Sequence, residues 1–181
     1  MNHVIGGYKL KKDINFLNKK LENSLKNMTE IGIEKIFSGI EIKLFTITYS
    51  LRKLMDTHRF PDSVSIKKIK IKKYKRNKGR FSPVEMFDKC YDLASGGNNE
   101  YLLLREICNQ FTHANHFQPI CNQKGNIKNL FFVSDRDVNK YLYSLNIKYF
   151  LKEILKIIDK DSKEIIITFD KATDKYVTVC K

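Results

Sequence analysis

One stretch limits the folds open to this chain more than any other. Between residues 29 and 58, apolar residues recur at Ile33, Ile36, Phe37, Ile40, Leu44, Ile47, Leu51 and Leu54. Spacings of three and four place them along one side of a long helix, opened by Thr29 and Glu30 and stopped by Pro61. Such a stripe is stable only if other elements cover it. Residues 9–27 supply a first candidate, with Leu10, Ile14, Leu17, Leu21 and Leu25 at helical spacing and lysines between them. A chain of 181 residues that is 42% hydrophobic can bury a core of its own, so residues 1–181 are expected to form a single domain. The first ten residues are mixed in character, and no apolar run approaches the ~20 residues of a membrane span. The expectation is a cytoplasmic protein that keeps Cys90, Cys108, Cys121 and Cys180 as free thiols and does not enter a membrane.

After Pro61 the pattern changes. In Ser65 to Tyr74, Ile69 and Ile71 alternate with lysine, which predicts a short strand or extended edge. Nine cations follow one another here without an acid: Lys67, Lys68, Lys70, Lys72, Lys73, Lys75, Arg76, Lys78 and Arg80. The whole chain carries 34 Lys and Arg against 20 Asp and Glu, a net charge of +14. That surplus repels itself, and nucleic acid is the commonest partner that relieves it. The basic segment is therefore a candidate phosphate track, with Tyr74 and Phe81 placed to stack on unpaired bases. Its alternative role is to blunt a sheet edge.

Further along, Ser82-Pro83 opens a helix that runs to about Ala94 and is broken at Gly96-Gly97. A longer helix is expected over 99–115, with Leu102, Leu103, Ile107 and Phe111 as its core stripe. Short strands at 117–122 and 128–134 flank a Lys124-Gly125-Asn126 turn. Asn146 caps a helix over 147–158, and residues 165–169 and 176–180 read as a closing hairpin. Together these elements predict an α+β fold that is mainly α: an antiparallel helical bundle with a basic edge strand and small β-hairpins towards the C-terminus.

The segment with the most chemistry is 104–116. Arg105, Asn109 and His113 stand at i, i+4 and i+8, one polar ridge on a helix, with His116 three residues further on. An imidazole can move a proton to or from a ribose or leaving oxygen, a guanidinium can stabilise charge at phosphorus, and an amide can orient the backbone. The alternative is a solvated ridge with no chemistry. Asn109-x-x-x-His113 on a late helix resembles the motif of HEPN (higher eukaryotes and prokaryotes nucleotide-binding) domains, in which an Arg is usually followed by a polar residue and, a few residues on, by His. The resemblance spans residues 29–116 as a helical core, with 117–181 as a strand, helix and hairpin extension. It implies a homodimer and a metal-independent ribonuclease site, with His113 as general acid or base, Asn109 orienting and Arg105 stabilising charge. Cys108 occupies the position of the motif Arg, and Arg105 lies one turn earlier.

A second constellation uses some of the same residues. Cys108, His113, His116 and Cys121 offer four zinc-type ligands, but at 100° per residue Cys108 and His113 point apart on a helix, so no metal or other cofactor is expected. Dinucleotide, P-loop, serine-hydrolase and zinc-protease signatures are lacking. The functional expectation is a nucleic-acid-binding protein, with RNA as the expected ligand, acting as a ribonuclease of toxin or phage-defence type. The alternative is a non-catalytic basic binder of nucleic acid or of an acidic protein partner.

Overall fold

The computed structural model describes residues 2–77, 87–159, 165–170 and 173–180. Its centre is a five-stranded antiparallel sheet in the order β2-β1-β5-β4-β3. The strands are β1 (Lys68–Lys75), β2 (Asn98–Leu103), β3 (Ala114–Cys121), β4 (Ile127–Ser134) and β5 (Tyr141–Asn146). The helices are α1 (Asn2–Glu22), α2 (Glu30–Asp56), α3 (Asp62–Ser65), α4 (Phe87–Cys90), α5 (Leu104–Thr112) and α6 (Ile147–Asp159). A separate hairpin pairs β6 (Ile165–Asp170) with β7 (Lys175–Cys180).

This arrangement corrects the helical bundle with small hairpins expected from the sequence. The sheet is the organising layer, and α1, α2, α5 and α6 contribute to one core with it. Ile69, Ile71, Leu130, Phe132 and Leu145 point from the sheet into that core. They meet Ile14 and Leu17 of α1, Ile40, Leu44 and Ile47 of α2, Ile107 and Phe111 of α5, and Phe150 and Ile154 of α6. Phe111 stacks on Phe132 with ring centroids 4.8 Å apart.

Three local expectations change with the architecture. The expected helix over 99–115 begins only at Leu104, because residues 98–103 pair with β1 instead. Leu102 and Leu103 thus belong to a strand, and the 29–116 segment contains β1 and β2 rather than an uninterrupted helical core. The basic strand is not an edge. β1 is hydrogen-bonded to β2 on one side and β5 on the other, so blunting a free edge is not what its lysines do. Of the helix expected from Ser82 to Ala94, only Phe87–Cys90 is helical among the described residues, and its predicted start lies outside them.

Among the described residues the second sheet face is covered at one end only. There Tyr74, Val133 and Leu142 pack with Cys90, Tyr91 and Val138 into a smaller cluster. Tyr91 donates its hydroxyl to the Val138 carbonyl at 2.7 Å, and burial pushes that phenol up to about 12. Among the described residues the rest of this face is open, which is how an interior strand can carry so many lysines. No helix among the described residues is long and apolar enough to cross a membrane.

Candidate nucleic-acid interface on the open sheet face

Alternation along β1 divides the basic segment between two faces. Lys68, Lys70 and Lys72 project from the open face and are exposed. Lys67 and Lys73 are engaged elsewhere. Lys67 pairs with Glu153 of α6 at 2.9 Å. Lys73 lies 3.1 Å from Glu100 and 3.9 Å from the centre of the Tyr141 ring. Lys156 and Lys67 hydrogen-bond to Glu153 and hold its carboxyl below the usual range. Lys75 is exposed, and Arg76 lies over the Tyr91 ring at 5.5 Å. Lys78, Arg80 and Phe81 fall outside the described residues, while Tyr74 is buried in the smaller cluster and is not available to stack on a base.

The strand registers set out what surrounds the three lysines. Asn99, Lys72, Ser144, Phe131 and Gln118 are successive partners across all five strands, forming one row on this face. In the next row Tyr101 sits opposite Lys70, and Asn146 sits opposite Asn129. Tyr101 is 63% exposed, an aromatic ring lying in solvent beside a cation. Between the rows is a cavity of about 290 Å³ lined by Lys70, Lys72, Asn129, Ser144, Asn146 and Tyr149 among others, with no Asp or Glu in its wall among the described residues. The loop at Gly96 and Gly97 lies within reach of the Lys72 side chain. Lys72 Nζ donates to the Gly96 carbonyl at 2.8 Å, and a Cβ on Gly97, at φ +69°, would come within 2.8 Å of the Tyr74 ring.

The residues expected to form a ribonuclease site are not gathered in the chain. Arg105 lies in the first turn of α5 and His113 is its C-cap, eight residues later, or about 12 Å along the axis. The Arg105 guanidinium is hydrogen-bonded to Asp56 at the end of α2. Asn109 is half-buried, and its Oδ1 has no hydrogen-bond partner among the described residues. His113 is exposed. His116 leaves the helix altogether and stands on β3 opposite Val133, where burial lowers its imidazole below the ordinary value. His113 also lies level with Asp135, six residues or about 20 Å along the β4 direction from the Asn129 end of the cavity.

The zinc-type set is equally dispersed. Cys108 is sealed in the main core, where burial pushes its thiol up to about 12, whereas Cys121 is exposed at the far end of β3. No group of three or more metal-ligating side chains occurs among the described residues.

Three features were missed in the sequence reading: Tyr101, the Asn129–Asn146 pair and Ser144. Tyr101 was hidden by the helix assigned to its segment. The amides and the serine come together only through strand pairing across β4 and β5. Comparison with protein-family models, curated proteins and solved structures finds no match.

Proposed function

We propose that this protein binds single-stranded nucleic acid, with RNA as the expected form, on the open face of its sheet, and that it does so without cutting the strand. The observation that carries this reading is the set of exposed Lys68, Lys70 and Lys72 beside the exposed ring of Tyr101. Lysines on a sheet can follow phosphates, and an unpaired base can stack on a neighbouring aromatic ring. A flat face of this kind suits unstacked bases better than a duplex groove, which takes an inserted helix or ribbon. The separation of Arg105 from His113, and the pairing of Arg105 with Asp56, favour binding over cleavage.

The test is fluorescence anisotropy with labelled single-stranded and duplex RNA of equal length. Single strands should bind more tightly, and replacing Tyr101 by Ala should weaken them by about 1–3 kcal/mol, the usual contribution of one stacked base. The reading fails if the protein ignores RNA, or if RNA is cut and His113→Ala abolishes the cutting. Retention of a protein partner from a nuclease-treated extract, with no affinity for purified RNA, would support the acidic-partner alternative instead.

A further inference from the structure

The cavity on the open face has a defined hydrogen-bonding polarity, and a single amide sets it. Asn146 caps α6: its Oδ1 accepts the backbone N–H of Tyr149 at 2.9 Å. That bond fixes which end of the Asn146 amide is oxygen, so its Nδ2 must point the other way. There it meets Asn129 Oδ1 at 3.5 Å. Had Asn129 been turned over, two NH2 groups would face each other. Asn129 therefore directs its own Nδ2 away from Asn146, as a donor on the cavity wall.

On β5, next to β4, Ser144 contributes a hydroxyl. The residue lines the cavity and is 5% exposed. A hydroxyl can both donate and accept. Beyond it on β1 is Lys72, the strand partner of Ser144, with Asn99 opposite Lys72 on β2. Lys72 has one N–H committed to Gly96 and keeps two for a ligand. Lys72 and Ser144 share a row and Asn129 lies one row along, opposite Asn146, so the wall offers donor, hydroxyl and donor on a diagonal across three strands. The volume of about 290 Å³ is at the low end for ligand pockets, which suits one base and not two.

We infer that this cavity is a base pocket for a dioxo pyrimidine, uracil in RNA or thymine in DNA, held by its two keto oxygens and its ring N–H. This rests on the reading that the face binds single-stranded nucleic acid, and it names the base that the face selects. Uracil and thymine present acceptor, donor, acceptor along their pairing edge. That is the complement of Asn129 Nδ2, Ser144 Oγ and the Lys72 side. Cytosine and adenine each bring an exocyclic amino group, which would set donor against donor. Guanine has only one keto oxygen on that edge. Lys70, on the same face, is left to hold a flanking phosphate.

The test uses the full chain and labelled homopolymers of U, A and C, of equal length and at one salt concentration. Oligo-U should bind about tenfold more tightly than oligo-A or oligo-C, the scale of one or two net hydrogen bonds. Asn129→Leu should bring the three affinities close together while the lysines keep general binding. Asn146→Asp is the sharper variant. Its carboxylate still caps α6 but can only accept, so Asn129 should turn its oxygen into the cavity and the preference should shift towards A or C. Equal binding of U, A and C by the unaltered protein would overturn the pocket and leave the nucleic-acid reading standing. No binding to any of them would overturn both. An Asn146→Asp protein that still prefers U as strongly as the parent would overturn the role given to the amide.

Discussion

At the scale of single residues, the clearest example of a polar group with a structural duty is Asp137. It is 8% exposed and lies in the connection between β4 and β5. Gln110 of α5 donates its Nε2 to Asp137 Oδ2, and Tyr143 of β5 donates its hydroxyl to the same oxygen at 3.0 Å. Gln110 then accepts the backbone N–H of Ser134 at 2.9 Å. One carboxylate thus ties α5 to two strands. Burial, followed by the nearby Asp137 charge, raises the Tyr143 phenol above its ordinary range, so it stays a donor at any physiological pH. Asp137→Ala leaves two buried donors without an acceptor. We expect it to destabilise the fold by about 3 kcal/mol, read as a lower urea midpoint, with Asp137→Asn losing roughly half as much because one acceptor oxygen remains. Equal stability of Asp137→Ala and the parent would refute this account.

Single elements show what the sequence could and could not disclose. The stripe from Ile33 to Leu54 did become α2, and Asn146 did cap α6, because both signals are local and neither competes with a strand. The turn at Gly125, at φ +77°, and the two late hairpins were legible for the same reason. The segment at 98–103 was not. Its Leu102 and Leu103 sit at helical distance from Ile107 and Phe111, and the only local mark of the true start is Glu106, whose Oε2 accepts the Leu103 N–H at 2.8 Å. Pairing with β1 overrode the periodicity. The site was obscured for a related reason. A run of nine cations reads as one patch, whereas a strand sends alternate side chains to opposite faces. That division carries its own prediction. Replacing Lys70 and Lys72 by Ala should weaken RNA binding several-fold and leave stability unchanged. Replacing Lys67 and Lys73 should leave RNA binding unchanged and lower stability by about 1 kcal/mol per lost ion pair at most. Titrations of the two double variants, with denaturant curves alongside, distinguish the pairs, and identical RNA affinities would count against the open face.

For the molecule as a whole, the relevant quantity is charge distribution over two unlike sides. α1 adds Lys9, Lys11, Lys12, Lys19 and Lys20 on the helical side, so the net charge of +14 is not confined to the sheet face. The salt dependence of binding separates local contact from diffuse attraction. Each phosphate contact on a single strand contributes a slope of about −0.7 in log K against log salt. Removing Lys68 and Lys70 together should therefore make the slope about 1.4 units shallower, whereas removing Lys11, Lys12 and Lys19 should change it little. If the helical-side variant shows the larger change, the ligand lies on α1.

The sheet also divides the thiols. Cys108 is sealed in the core beneath one face, and Cys90 lies in the smaller cluster on the other, with the strands between them. An oxidant cannot join these two sulfurs while the strands stay paired. Cross-linking between them is thus a hazard of the unfolded chain, to be met with a reductant during refolding and of no concern once the native structure has formed.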